Sequence, residues 1–238
     1  MSIPPSIQAG LWGLLAGSAL LVGAGLGWFV RLPQRLIAAV MAFGSGTLIA
    51  TLAFDLLDGA YRRGGFNPVA AGFMTGAAIY TAANVYLSRR GARHRKRSSD
   101  HQRDESERHG AESSGLAIAV GAALDGIPES IVIGTSLLHG GAVGVVAVVA
   151  VFVSNIPEGL SSSAGMRQAG RSARYVFGIW GVIAALSGLA ALAGYVVFRH
   201  ASPEVIAATT ALAAGAILAM VSDTMIPEAA FVLTRGHG

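Results

Sequence analysis

The stretch RYVFGIWGVIAALSGLAALAGYVVF (Arg174–Phe198) contains a single charged residue, at its first position. About 20 mostly apolar residues are enough for a helix to cross the hydrocarbon core of a bilayer. Similar runs lie roughly at 8–30, 35–60, 66–88, 114–138, 141–165 and 204–230. Alternating ten-residue strand patterns are absent from the sequence, which disfavours a barrel. The sequence therefore predicts an all-α, polytopic transmembrane helical bundle with seven spans.

The amino-acid composition is typical of a membrane protein. Hydrophobic residues make up 53% of the 238, and charged residues make up 13%, against about 25% in an ordinary soluble domain. Cysteine is absent, which excludes disulfides and thiolate metal sites.

The basic residues predict the orientation. If the N-terminus is outside, fourteen of the seventeen Lys and Arg residues fall on inside segments, and only Arg62, Arg63 and Arg199 fall outside. The positive-inside rule then predicts a multi-pass protein of the inner cell membrane with the long loop in the cytoplasm. The net charge of +4 is thus an orientation signal that indicates membrane lipid, and not nucleic acid, as the partner.

One polar segment divides the chain. Residues 1–88 hold the first three spans, residues 89–113 form a cytoplasmic loop of mixed charge that we expect to be disordered, and residues 114–238 hold the last four spans. The loop contains His94, His101 and His109. These histidines either collect metal or are ordinary solvated residues.

Seven of the thirteen acidic residues lie within the apolar spans: Asp55, Asp58, Asp125, Glu129, Glu158, Asp223 and Glu228. A charged side chain at the centre of a transmembrane helix costs about 3 kcal/mol on an insertion scale. Lys, Arg and His do not occur deep in any span. Protons, water or cations must therefore compensate the buried acids.

The spacing of the polar residues in the fourth and fifth spans favours cations. Asp125 and Glu129 are four residues apart, as are Ser154 and Glu158, so each pair shares one helix face. Asn155 can add an amide oxygen. Pro128 and Pro157 each precede a glutamate and leave a backbone carbonyl one turn earlier without its amide donor. Broken helices beside carboxylates are a recurrent device of transporters.

The other acids predict a pathway. Asp55 and Asp58 are three apart near the end of the second span, where they either line an entrance or face solvent. Asp223 and Glu228 are five apart, so they do not share a face of a straight helix, and Glu228 lies near a membrane boundary. Both are expected to be pathway or helix-end residues.

Four motifs carry a resemblance to a known family. They are AFGSGTLIATLAFDLLDGAY (42–61), LDGIPESIVIGTSL (124–137), SNIPEGLSSSAGM (154–166) and AAGAILAMVSDTMIPEA (213–229). Together they resemble the ZIP (Zrt/Irt-like) family of divalent-metal transporters along nearly the whole chain. The resemblance implies a metal site between the fourth and fifth spans, with Glu129 and Glu158 as shared ligands and Asn155 as a further ligand.

The chain departs from that family in three places. The fourth-span motif of the family usually begins with His-Asn, and here Asp125 and Gly126 stand there; the fifth usually begins with a stronger ligand than Ser154. The family usually has eight spans, against the seven predicted here. The departures shift the site toward oxygen ligands, which suit Mn, Fe(II), Zn and Cd and disfavour Cu(I).

The resemblance further implies a homodimer that moves a divalent metal toward the cytoplasm by alternating access, with the metal as its substrate and no cofactor. An intramembrane metallohydrolase is disfavoured because such enzymes usually carry histidines within the spans, so no catalytic residues are predicted. A metal sensor or scaffold, and a channel-like pathway, remain as alternatives.

Overall fold

The computed structural model of the protein describes residues 3–89, 111–139, 144–227 and 229–230. The prediction of an all-α bundle is confirmed, since the described residues form seven long helices and no strand. The helices are α1 (Pro5–Phe29), α2 (Gln34–Gly64), α3 (Phe66–Leu87), α4 (Ala111–Ser136), α5 (Val145–Gln168), α6 (Ala173–Phe198) and α7 (Pro203–Met225).

Five of the described helices are long and apolar enough to span a membrane: α1, α2, α5, α6 and α7. The helices α3 and α4 are of similar length and also carry polar residues, including Asn84, Asp125 and Glu129. Large apolar side chains point away from the bundle, as contact with lipid requires, among them Phe29, Phe43, Phe54, Phe66 and Val197. This is the architecture of a helical membrane protein.

Two complete π-helical turns, which are wider than an α-helical turn, lie within the described residues. One covers Leu52–Leu57 within α2 and includes Asp55, and the other covers Val221–Met225 at the end of α7 and includes Asp223. Such turns are rare and often lie at functional sites. Two of the acids predicted to line a pathway therefore lie on locally widened helix.

The directions of the helices follow from which residues meet. Gly23 and Gly27 of α1 lie against Ile156 and Leu160 of α5, in ascending order on both helices, so α1 and α5 run parallel. The same ordering makes α3 parallel to α7 and α4 parallel to α6, whereas α1 and α6 run antiparallel. We call the end of the bundle where α1 begins the near face, and the end where α1 finishes the far face.

Glycine allows the tightest of these contacts. A Cβ atom at Gly23 or Gly27 would collide with backbone atoms of α5, and one at Gly13 would lie 2.7 Å from the carbonyl oxygen of Ser187 in α6. A Cβ atom at Gly76 of α3 would likewise collide with the backbone of Leu212 in α7. Gly13 and Gly17, and again Gly23 and Gly27, are four residues apart in the sequence, a spacing that predicts the close approach of another helix. In the structure α6 approaches the first pair and α5 the second.

The helices pack as two groups. In the α1 group, α1 packs extensively on α5 and α6, and α4 packs on α6; in the α3 group, α3 packs on α7, which also packs on the last part of α2. The groups meet where α2 packs on α5 and where α4 packs on α7. Between α3 and α4 the backbones make little contact.

Candidate functional site

The polar residues predicted to bind metal are buried in the middle of α4 and α5. Asp125, Glu129, Ser154, Asn155 and Glu158 are each at most 5% exposed. Asp125 lies eleven residues before the end of α4 and Glu158 thirteen after the start of α5, which puts them about 16 and 20 Å along their helices from the near face. The sequence-predicted ligands thus occupy the interior of the bundle at membrane depth.

Both prolines lie inside these helices, and the helical backbone continues past Pro128 and Pro157. Hydroxyl groups nearby bond to the backbone of their own helix. The Ser130 hydroxyl donates to the Gly126 carbonyl at 2.7 Å, and the Ser154 hydroxyl donates to the Val151 carbonyl at 3.0 Å. The proton of Ser154 is therefore used in the helix, and only the oxygen lone pairs can face a ligand.

Asn155 ties α5 to α1. Its side-chain amide nitrogen donates to the Ala16 carbonyl oxygen at 2.9 Å. This bond orients the amide and leaves its oxygen as the atom that can accept a bond or coordinate a cation. Asn155 therefore has a structural contact as well as the ligand role predicted for it.

Asp125 has a partner that the sequence reasoning missed. The hydroxyl of Tyr80 in α3 donates a hydrogen bond to Oδ1 of Asp125, and both side chains are buried. The bond joins the α3 group to the α1 group between two helices whose backbones make little contact.

Asn84 makes a comparable contact one turn further along α3. Its amide nitrogen donates to Oδ2 of Asp223 in the π-helical turn of α7. Tyr80 and Asn84 are four residues apart and share one face of α3, and this spacing of polar residues in an apolar span is the signal that could have found them. One face of α3 therefore holds a carboxylate of the predicted site and a carboxylate of the predicted pathway.

The acids do not form a ready-made metal cluster. Within the described part of the chain, no three His, Cys, Asp or Glu side chains are close enough together to hold a metal ion. Any cation bound here would need the amide, hydroxyl and carbonyl oxygens as well, or a change in the positions of the carboxylates.

A polar cavity of about 280 Å³ opens toward the near face. It is lined by Asp55 and Arg63 of α2, by Thr135 and Ser136 at the end of α4, and by Thr210 of α7, together with smaller residues. The hydroxyl of Thr210 is buried without a hydrogen-bond partner among the described residues. The cavity provides polar groups on the path from the near face toward the buried acids.

The two acids of α2, Asp55 and Asp58, have different surroundings. Asp55 lines it, whereas Asp58 forms an ion pair with Arg62 at 2.7 Å on the exposed side of the helix. Of the two residues that the sequence suggested for an entrance, the structure puts Asp55 in the cavity and Asp58 on the surface.

A second cavity, of about 300 Å³, lies at the far face where α1 ends, α2 begins and α5 ends. Arg31, Gln34, Arg167 and Gln168 contribute its polar lining. The guanidinium of Arg167 donates to the carbonyl oxygen of Trp28 in the last turn of α1. A basic end of the bundle is consistent with the uneven distribution of Lys and Arg in the sequence.

Some predicted residues lie outside the described residues. They are the loop histidines His94, His101 and His109, and the pathway residue Glu228.

Comparison with known proteins adds no assignment. No protein-family model matches the chain, and no curated protein matches it either.

Proposed function

We propose that this protein is a divalent metal cation transporter of the ZIP type. The observation that carries the proposal is the burial of Asp125, Glu129 and Glu158 in the middle of α4 and α5, beside further oxygen donors. A buried carboxylate is costly in lipid, and acids within transmembrane helices mark ion pathways and proton relays. The resemblance of the two Pro-Glu motifs to those of ZIP transporters supports the same conclusion.

The ligand atoms of the proposed site indicate which cations the protein transports. Carboxylate, amide and hydroxyl oxygens are hard ligands, which suit Mn²⁺, Fe²⁺, Zn²⁺ and Cd²⁺ and give little affinity for Cu⁺. Glu129 and Glu158 are the principal ligands in this proposal, and Asp125 and the Asn155 oxygen complete the set, with Ser154 as a weak donor. The cation is the substrate, and no cofactor takes part.

The cation takes a path through the interior of the bundle. It enters at the near-face cavity beside Asp55, loses water, and reaches the carboxylates of α4 and α5. It leaves past Asp223, which is exposed about 30 Å along α7 from the near face. Alternating access moves the α1 group relative to the α3 group, so that the buried site opens to one side at a time.

The proposed orientation follows from charge. Because most Lys and Arg residues belong to the far-face segments and the loop, the far face is cytoplasmic and the near face is outside. The direction of transport, toward the cytoplasm across the inner membrane, is what the resemblance to the ZIP family implies. By analogy with the ZIP family, the transporter is a homodimer.

The test is metal uptake into proteoliposomes that contain the purified full chain. Glu129→Gln and Glu158→Gln remove one carboxylate each while keeping the side-chain size, and we expect initial Zn²⁺ and Mn²⁺ uptake to fall at least about tenfold in each. Glu204→Gln is the matched control, because Glu204 is an exposed carboxylate at the start of α7. Its uptake should equal that of the wild type.

The same experiment separates the alternatives. Equal uptake by the wild type and both glutamine variants would show that the proposed site is wrong. Metal binding by the purified protein without filling of the vesicles would favour a sensor or scaffold. Uptake that rises linearly with metal concentration, without saturation, would favour a channel-like pathway.

A further inference from the structure

The hydrogen bond between Tyr80 and Asp125 crosses the boundary between the two helix groups. Tyr80 belongs to α3 and Asp125 to α4, and the backbones of these helices make little contact. Both side chains are 2% exposed. A long phenol side chain therefore bridges the groups in the interior of the bundle, where water does not compete for the bond.

The neighbouring bond on the same face of α3 differs in one respect. Asn84 donates to Asp223, and both residues belong to the α3 group. If the groups move relative to each other, the Asn84–Asp223 contact can persist, whereas the Tyr80–Asp125 contact must break. Tyr80 is thus the residue of this face whose bond depends on the arrangement of the groups.

The bonded carboxylate is also one of the proposed metal ligands. A cation shared by Asp125 and the two glutamates needs the Asp125 carboxylate in a different position, whereas the Tyr80 hydrogen bond holds it in the present one. The described acids do not form a three-residue metal cluster in this arrangement. The Tyr80 hydrogen bond therefore contributes to holding Asp125 in this arrangement.

We propose that Tyr80 is a positioning residue that holds Asp125 on the α3 group until a divalent cation takes the carboxylate. The inference rests on the proposed transport function. Cation binding and the Tyr80 bond compete for one side chain, so the cargo itself releases the contact between the groups. The free energy of cation binding is thereby linked to the movement that carries the cation.

The variant Tyr80→Phe removes only the hydroxyl that donates this bond. Since the cation no longer competes with a hydrogen bond, we expect its dissociation constant to fall about fivefold, a typical size for coupling between two sites. At the same time the maximal uptake rate should fall, because the two helix groups then move whether or not a cation is bound. A lower KM with a lower kcat is the signature that a merely structural role would not produce.

The matched control is Tyr175→Phe. The Tyr175 hydroxyl is also buried, but it has no hydrogen-bond partner among the described residues. Zn²⁺ and Mn²⁺ binding to the purified full chain, measured by equilibrium dialysis, and uptake by proteoliposomes should both match the wild type in this variant.

A second measurement does not depend on a folded variant. Adding Zn²⁺ to the wild-type protein should change the ultraviolet difference spectrum of a buried tyrosine, because the Tyr80 hydroxyl loses its carboxylate acceptor. No such change should occur in Glu129→Gln/Glu158→Gln, which cannot hold the metal.

The outcomes distinguish the two proposals. Wild-type protein that binds no metal would contradict the transport function itself. If metal binding depends on Glu129 and Glu158 but Tyr80→Phe binds with unchanged or weaker affinity, the function stands and the role of Tyr80 is wrong. A tyrosine spectrum that does not respond to Zn²⁺ in metal-binding wild-type protein also overturns it.

Discussion

In the proposed metal site, Asp125 brings an oxygen ligand to a helix position where histidine would bring nitrogen. Its carboxylate is buried and held by the Tyr80 hydroxyl, so its orientation is defined before any cation arrives. Imidazole nitrogen suits Zn²⁺ better than Mn²⁺, whereas carboxylate oxygen suits both. Asp125 is therefore the residue at which the choice between these two ions is most open to change.

The first prediction at this scale concerns Asp125→His. The neutral imidazole has one unprotonated nitrogen that can coordinate metal, while its other nitrogen carries the proton and can donate a hydrogen bond to the Tyr80 oxygen. We expect the ratio of Zn²⁺ to Mn²⁺ affinity to rise about tenfold, or about 1.4 kcal/mol, in competition binding to the purified protein. An unchanged ratio would mean that Asp125 does not coordinate the cation.

Individual residues differ in how much of their role could be read from sequence. The positions of Glu129 and Glu158 follow from their spacing to Asp125 and Ser154 along single helices, and the structure buries all four. Tyr80 was missed because its partner is 45 residues away, across a segment that no periodicity spans. The spacing of residues along one helix shows which of them share a face of that helix. Contacts between different helices depend on how the helices pack, and the sequence of a single span does not show this.

The helices themselves were largely predictable, because an apolar run of the length of a bilayer permits few other structures. The spaced glycines of α1 also predicted close approach of another helix. The wide turns at Leu52–Leu57 and Val221–Met225 were not predicted, since one added backbone residue leaves the apolar pattern nearly intact. For that reason, the different surroundings of Asp55 and Asp58 could not be foreseen.

The contact between α3 and α7 supplies a prediction at the scale of the element. Gly76→Ala places a methyl group against the backbone carbonyl of Leu212, which cannot rotate away. Overpacking of this kind costs about 1–3 kcal/mol, and the free energy of unfolding in mixed micelles should fall by that amount.

Gly178→Ala serves as the control for this substitution, because a Cβ atom there meets nothing within 4 Å. Removing a glycine from an open helix position should leave the unfolding free energy unchanged or raise it by up to about 1 kcal/mol. A loss of similar size in both variants would show that the α3–α7 contact is not the cause.

At the scale of the whole molecule, the proposed orientation gives opposite labelling of the two faces. Because the chain has no cysteine, single cysteines can be introduced without removing any native thiol. Asn67→Cys lies in the near-face first turn of α3 and Gln168→Cys at the far-face end of α5, and both are exposed polar positions. A membrane-impermeant maleimide should label the first in intact cells and the second only after permeabilisation.

Labelling in the reverse order would invert the proposed direction of transport. Equal labelling of both positions in intact cells would indicate leaky cells or a mixed topology, which a cytoplasmic marker protein distinguishes. The grouping of the helices, in contrast to the orientation, could not be read from charge, because it depends on which glycine-bearing faces fit together.

The glycine contacts also determine where the molecule is stiff. Backbone presses on backbone between α1 and α5 and between α3 and α7, with no side chain between them to change rotamer. We therefore expect the two helices of each pair to move together as one rigid unit. The boundary between the groups includes side chains that span a gap, as Tyr80 does, and side chains can bend. A force on the protein, from a thicker bilayer or from a bound antibody, would accordingly change the packing at this boundary first. The helix pairs α1–α5 and α3–α7 would keep their structure.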